Sequence, residues 1–283
     1  MFFLPCKLPD SRAHALLQAE SRGQGRGTHR ATASQRRLYL ISLHSAGATD
    51  VGLWRDNNED SYLIIPQARV LALADGMGGA AAGEVASQYF VDMVRIVFSE
   101  LASPSKDTVP DRIQHVFESA NACMLEHIIQ HPADAGMGCT ADLLVFDGER
   151  YIIGHVGDSR VYLLRDGRLQ QLTKDHSLVQ SQVDRGMLTP EEAKHHFRKN
   201  ILLRAVGTDL SMACDIVQGA VLGSDIFLLC SDGLTDMVEN ADIEIVLASA
   251  ESLEQKVERL ISAALEAGGK DNVTVILCEV EDV

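Results

Sequence analysis

Val70-Leu-Ala-Leu-Ala74 is an unbroken apolar run that leads straight into Asp75-Gly76-Met-Gly-Gly79. A run that is apolar at successive positions predicts a strand buried on both faces. A carboxylate at its mouth is costly to bury alone and needs a partner, a cation or water. The glycines let the backbone turn sharply and approach closely whatever sits there. The arrangement recurs at Ile226-Phe-Leu-Leu-Cys-Ser-Asp232-Gly233. Two other pairs, Asp147-Gly148 and Asp166-Gly167, lie between apolar runs and predict hairpin turns. Asp75 and Asp232 are followed instead by helical patterns. Each therefore either caps the next helix or belongs to a site.

Strands are expected near 46–53, 61–65 and 69–74. A helix fits 81–101, with Phe90, Met93, Val94, Val97, Phe98 and Leu101 on one face. A second fits 111–130, aligning Ile113, Val116, Phe117, Ala120, Met124 and Ile128. Residues 139–172 read as a strand meander, and 173–200 as a mobile excursion with a helix start at Thr189-Pro190-Glu191-Glu192. Strands return near 213–220 and 225–231, helices near 241–249 and 252–267, and a last strand at 273–280. Strands in runs with helices in pairs argue α+β, with mainly antiparallel sheets packed face to face and helices outside.

Residues 1–44 carry seven Lys or Arg against two acidic residues, a net of +5, which leaves −20 for the remainder of a chain whose total is −15. An acidic body argues against nucleic acid and suits a protein that gathers cations. Residues 1–37 lack apolar periodicity, so 1–44 is expected to be a disordered basic extension preceding a single domain at 45–283. A transit peptide and a misassigned start are alternatives for it; the apolar start is too short for a secretory signal. No apolar run reaches membrane-span length. The six cysteines form no C-x-x-C pair and read as buried thiols in a reducing compartment.

Five acidic stations stand out: Glu59-Asp60, Asp75, Asp158, Asp232 and Asp271. Carboxylates without His or Cys among them suit hard cations such as Mg²⁺ or Mn²⁺ rather than zinc. Arg55 offers a planar fork suited to a phosphate dianion. Singly, each has a bland alternative. Arg55 suits a surface ion pair, Asp158 a turn, and Asp271-Asn272 the end of the preceding helix.

Taken in order, Arg55-Asp-Asn-Asn-Glu59-Asp60, Asp75-Gly-Met-Gly-Gly79, Gly83-Glu-Val-Ala-Ser87, Gly157-Asp-Ser-Arg160, Ser231-Asp-Gly-Leu-Thr-Asp236 and Asp271-Asn-Val-Thr274 resemble the metal-dependent protein Ser/Thr phosphatases, the PPM or type 2C family, in bacterial form. The resemblance covers residues 46–281. It implies a four-layer α-β-β-α sandwich, two central antiparallel sheets flanked by helix pairs, with a flap at about 173–205. It implies hydrolysis of phosphoserine and phosphothreonine by a metal-activated water. Asp75 would bridge two tightly bound Mn²⁺ or Mg²⁺ ions, with the Gly76 carbonyl as a further ligand. Asp232 and Asp271 would hold the first ion, and Glu59 and Asp60 the second. Asp158, with Asp232, would hold a weaker third. Arg55 would bind the substrate phosphate. The expected partners are phosphorylated proteins and an opposing Ser/Thr kinase. The expected protein is a cytoplasmic monomer without a membrane span or nucleic-acid partner. The rival is a catalytically silent relative that binds a phosphoprotein or a regulatory partner.

Two departures from the family pattern stand out. A histidine often found near the Asp-Gly turn, a candidate general acid, is replaced here by Met77 and Ala80, which leaves metal-bound water as the expected proton donor. His155, His176, His195 and His196 are expected to be ordinary core, turn or flap residues. Cys139, where Thr or Ser is more usual, reads as a packing change.

Overall fold

The computed structural model describes residues 41–78, 82–99 and 107–281. Residues 1–40, which hold most of the expected basic extension, lie outside this set, as do Gly79 and Ala80. In chain order the strands are β1 (Ser42–Asp50), β2 (Asp60–Ile65), β3 (Val70–Met77), β4 (Gly138–Cys139), β5 (Ala141–Asp147), β6 (Arg150–Val156), β7 (Arg160–Arg165), β8 (Arg168–Gln171), β9 (Asp215–Ala220), β10 (Ile226–Cys230) and β11 (Val273–Glu281). The helices are α1 (Ala82–Ser99), α2 (Val109–Gln130), α3 (Leu178–Asp184), α4 (Pro190–Lys194), α5 (Asp232–Thr235), α6 (Asn240–Leu247) and α7 (Leu253–Glu266).

All pairings are antiparallel. One sheet runs β1-β11-β10-β7-β8, the other β2-β3-β5-β6-β9, with β4 paired to the end of β3. Helices α1 and α2 cover the second sheet, and α5, α6 and α7 cover the first, which makes the four layers. The apolar runs are continuous because both sheet faces are buried. On β10, Ile226, Leu228 and Cys230 pack with the α6–α7 cluster, while Phe227 and Leu229 point into the space between the sheets. There Phe227 meets Phe146 and Tyr151 edge-on, at centroid separations of 5.2 and 5.1 Å. Burying a side chain of that size contributes roughly 1.5–3 kcal/mol.

Local chemistry sets the element ends. Thr108 with Asp111, Thr189 with Glu192 and Ser252 with Gln255 form capping boxes for α2, α4 and α7. The predicted helix start at Thr189 is therefore where the chain begins α4. Asp166 and Gly167 both take positive φ in the β7–β8 hairpin, as the tight-turn signal requires. The first strand starts earlier than expected, at Ser42, so residues 42–44 belong to β1 and not to an extension. Its register against β11, from Ser42↔Glu281 to Asp50↔Val273, explains this, because the partner strand supplies hydrogen bonds along its whole length.

Residues 173–205 carry α3 and α4 and are tied to the body at both ends. At the start the His176 N–H donates to the Gly157 carbonyl at 2.7 Å, at the end Val206 exchanges two backbone hydrogen bonds with Cys139 of β4, and Ser177 bridges Leu202 across the base. On the far side Lys194 pairs with Glu239 at 2.6 Å, and Lys199 pairs with Asp236.

Gly154 of β6 lies directly under α2. A Cβ there would fall 2.3 Å from Ile113 Cγ2 and 2.9 Å from Phe117 Cε2. Gly154→Val should therefore push α2 outward and lower unfolding free energy by about 1–3 kcal/mol, measured by urea denaturation. An unchanged midpoint would show that α2 moves away at no cost.

Candidate metal centre

The acidic stations come from different sheets and meet at one end of the sandwich. β2 and β3 pair with Asp60 directly opposite Asp75. Asp232 follows β10, Asp271 precedes β11, and Asp158 lies in the β6–β7 turn. A cavity of about 510 Å³ is lined by Arg55, Glu59, Asp75, Gly76, Asp158, Asp232 and Asp271. Asp60 lies just behind it, 7% exposed. Its Oδ2 accepts from Thr274 Oγ1 at 2.6 Å and Ser231 Oγ at 2.8 Å, while its buried Oδ1 has no protein partner.

Asp75 is not at the end of its strand. β3 continues through Gly76 to Met77 because β4 pairs with both. Gly76 serves close approach and not a turn: a Cβ there would stand 2.1 Å from the Gly83 carbonyl oxygen and 2.6 Å from that of Glu59. The turn comes at Gly78, with φ +129°. Thr140 holds the Asp75 backbone from both sides. It donates its N–H to the Asp75 carbonyl (2.9 Å) and accepts the Asp75 N–H on its hydroxyl (3.1 Å). The same hydroxyl meets Ser159 Oγ at 2.7 Å, which ties Asp75 to the turn carrying Asp158.

The helix-capping alternative fails for both Asp-Gly sites. Asp75 is inside a strand, and Asp232 is the first residue of α5, whose N-cap is Ser231. The Asp232 and Asp271 loops are packed hard together, since a Cβ at Gly233 would lie 1.9 Å from the Asn272 carbonyl oxygen. Asn272 is the hub of this corner. Its Oδ1 accepts the Glu59 N–H at 2.8 Å, and its Nδ2 donates to the carbonyls of Val51 and Asn57 at 2.9 Å each. Asn272, Thr140, Ser159, Ser231 and Thr274 are positioning residues that the sequence reading did not assign. Four of these five stand inside or beside the quoted motifs, so the signal was adjacency; Thr140 had only its Gly-Cys-Thr context.

Arg55 does form an ion pair, and its partner is a site residue: Nη2 meets Asp271 Oδ2 at 2.7 Å. The other Asp271 oxygen accepts the Asn272 N–H at 2.9 Å. Among the described residues lining the cavity, none is a histidine, and Met77 stands in the wall. Ala80 lies outside the described residues. His155 is a core residue, as expected. It donates Nε2–H to the Lys174 carbonyl (3.0 Å), and its Nδ1 meets Asp142 Oδ1 at 2.8 Å. His176 anchors the start of the flap, accepting the Gly157 N–H on Nδ1 at 3.1 Å and meeting Asp215 with Nε2 at 3.2 Å. Cys139 is fully buried with its backbone bridging to Val206, which fits a packing role.

The electrostatics are those of crowded anions. Burial pushes Asp75 well above the usual carboxylate range, and the charges of Asp60, Asp232, Asp158 and Asp271 push it further. Asp232 is raised in the same way, by burial and then by Asp158, Asp236, Asp271 and Asp60. Burial lifts Asp60 to about 6 against its two hydroxyl donors. Asp158 is lifted to about 7 by burial and Asp175, with Arg160 opposing. Among the described residues, no three His, Cys, Asp or Glu side chains close on a single point. The carboxylates ring the cavity instead. The orphaned Asp60 Oδ1 and an all-oxygen donor set both fit hard divalent cations.

A second cavity of about 850 Å³ adjoins the first and shares Arg55, Asp158, Asn200, Asp232 and Asp271 with it. Its far walls are the flap, at Ser177 and Lys199, and the α5–α6 segment, at Asp236 and Glu239.

Residues 55–277 match the family model described as Protein phosphatase 2C. The chain is 41% identical over 246 residues, 87% of its length, to the serine/threonine protein phosphatase PstP of Mycobacterium tuberculosis, and spans about half (46%) of that relative's own length. It is 36% identical over 241 residues to the serine/threonine phosphatase stp of Listeria innocua, covering 84% of this chain and 96% of that one. A crystal structure of the catalytic domain of PstP in complex with two manganese ions superimposes with a TM-score of 0.78 at 39% identity, covering 86% of this chain and 100% of that one.

Raised carboxylates bind protons more readily in the folded protein than in the unfolded chain, where aspartate titrates near pH ~4. With divalent cations removed, stability should fall as pH rises from about 4 to about 7. In EDTA, Tm should be higher at pH 5.5 than at pH 8, and Asp75→Asn should flatten that difference. Saturating Mn²⁺ at pH 8 should raise the wild-type Tm by about 4 °C or more, as ligand linkage requires. A flat EDTA profile and no Mn²⁺ shift would contradict the site.

Proposed function

The chain belongs to the protein phosphatase 2C family of metal-dependent phosphoprotein phosphatases, and on that premise we propose that it hydrolyses phosphoserine and phosphothreonine on proteins, reversing a Ser/Thr kinase. The observation that carries the reading is Asp60 set directly opposite Asp75, with a buried oxygen left unpartnered and Glu59, Asp158, Asp232 and Asp271 around the same cavity. Like charges placed opposite each other across a strand pair destabilise the sheet unless something positive stands between them. The names of the mycobacterial and Listeria relatives support the substrate class, and the manganese complex of PstP supports the cofactor.

In this reading Asp75, the Gly76 carbonyl, Glu59, Asp60, Asp232 and Asp271 would hold two divalent cations, Mn²⁺ or Mg²⁺, and Asp158 with Asp232 a weaker third. When bound, such a pair supplies activation of water and neutralisation of charge on the phosphoryl group. The remaining work falls to the chain. Arg55 presents a guanidinium at the cavity wall, fixed by Asp271, and orients the phosphate through its paired N–H donors. Thr140 and Ser159 keep Asp75 and Asp158 in fixed relation, so the donor set does not reorganise as charge develops. Met77 in the wall gives the leaving alcohol no imidazole from that position. The groove under the flap is where the rest of a phosphoprotein chain would lie.

Asp75→Asn and Asp232→Asn should each lower Mn²⁺-dependent turnover of a phosphopeptide by about a hundredfold or more, since each loss leaves the cations under-coordinated. EDTA should abolish the activity reversibly. Near-normal turnover by either variant in saturating Mn²⁺ would sink the dinuclear reading. Asp158→Ala tests the third position. Calorimetry should still find two tightly bound Mn²⁺ ions while most turnover is lost. Disappearance of the tight sites would make Asp158 a ligand of the core pair.

A further inference from the structure

Trp54, the single tryptophan of the chain, is 76% exposed at the rim of the carboxylate cavity, one residue before Arg55. It is held there by design of the backbone around it. Its Nε1–H donates to the Gly268 carbonyl at 3.1 Å. The N–H of Leu53 donates to the Gly269 carbonyl at 2.7 Å, and Arg55 reaches Asp271 at 2.7 Å. Three successive residues are thus fastened to one short segment, 268–271, which turns at Gly268 and Gly269 with positive φ at both. A Cβ at Gly269 would fall 2.9 Å from Leu53 Cγ, so that turn is fitted to the loop.

An indole with its one polar atom satisfied and its position fixed normally buries its ring. Here the ring faces solvent and cavity, and Leu53 beside it is 67% exposed. Single exposed apolar residues need no explanation. A rigid pair abutting the proposed phosphate-binding arginine is a different case, because rigid aromatic anchors cost little entropy to use in binding. The surroundings select what the ring would take. Glu59, Asp75 and Asp271 line the same cavity but are assigned to the cations, and Arg55 is already paired with Asp271. Asp56, exposed at the same rim next to Arg55, is not among the residues assigned to the cations. An indole π-face beside that carboxylate attracts a cation and repels an acid.

We infer that Trp54 is a specificity-determining residue that seats an arginine or lysine side chain of the phosphoprotein substrate, one or two residues from the phosphorylated position. Leu53 packs the aliphatic stem of that side chain and the indole face takes its charged end. The spacing follows from the chain: adjacent residues of an extended peptide advance about 3.3–3.6 Å each, so only near neighbours of a phosphate at Arg55 reach Trp54. The inference rests on the phosphatase reading, which a small aryl phosphate tests separately because it has no flanking residue.

Phosphoserine peptides differing only in a flanking Arg, norleucine or Glu would be compared by kcat/KM. The wild type should prefer Arg over norleucine and norleucine over Glu. In Trp54→Ala the Arg-to-norleucine preference should shrink by about 3- to 30-fold, through KM rather than kcat, and Trp54→Phe should keep most of it. The lone tryptophan also reports docking directly. With Mn²⁺ present, a peptide carrying a non-hydrolysable phosphonate for phosphoserine and a flanking Arg should shift indole fluorescence at lower concentration than its norleucine counterpart. Equal preference in wild type and Trp54→Ala, or a favoured Glu peptide, would overturn the inference, as would fluorescence blind to the flanking residue. A uniform fall in kcat for all three peptides with a lowered Tm would also overturn it, by making Trp54 a strut for the Arg55 loop. If the aryl phosphate is not hydrolysed but the fluorescence still distinguishes the peptides, the phosphatase reading fails and the docking site stands.

Discussion

Two carboxylates facing each other across a strand pair are the constraint from which the rest of this structure follows. Asp60 and Asp75 are in register in β2 and β3, Asp60 buried and Asp75 half-buried in the wall of the cavity. Burial holds both above the usual carboxylate range, and the second oxygen of Asp60 has no protein partner. The fold supplies only partial relief through the hydroxyls of Thr274 and Ser231. Positive charge must come from outside, and the cavity in front of the pair is shaped to admit it. An isolated site of this kind would destabilise the protein that carried it. Here two sheets and the helices that cover them bury enough apolar surface to tolerate it.

The architecture was largely legible because the strands are apolar at every position. Val70–Ala74 and Ile226–Cys230 could only be central strands covered on both faces, and helix pairs were the only elements left to cover them. Ends were less legible. β1 begins at Ser42 because its partner strand, far along the chain, extends to Glu281 opposite it, which no local pattern records. β3 runs past Asp75 for a similar reason, since Gly138-Cys139 pairs with its tail. In the site, the acids were visible one by one as charges at the ends of apolar runs. What holds them was marked only by adjacency to the motifs. Asn272 serves Glu59, Val51 and Asn57 at once, and its place beside Asp271 does not say which groups it joins.

The bland alternatives did not simply lose. Arg55 is both a surface ion pair and a wall of the site, and its partner Asp271 also makes a local turn through Asn272. One side chain answers to both descriptions because a site rim must be held in shape before it binds anything. The same holds for the flap. Lys194 and Lys199 bind carboxylates across a polar groove with exposed pairs, the weakest kind of tether. The cleft therefore closes on salt-sensitive contacts, while the cation end is built on buried ones.

The outermost strands of the sequence are neighbours in space. β1 pairs with β11 along nine residues, and the Glu59–Asp60 and Asp271–Thr274 segments that meet beside them come from opposite ends of the domain. No part of the centre can be assembled locally. The donor set is therefore a product of the closed β1-β11-β10 ladder: any fragment lacking β11 also lacks the Thr274 hydroxyl that holds Asp60 and the Asn272 amide that holds Glu59, however many of the other carboxylates it keeps.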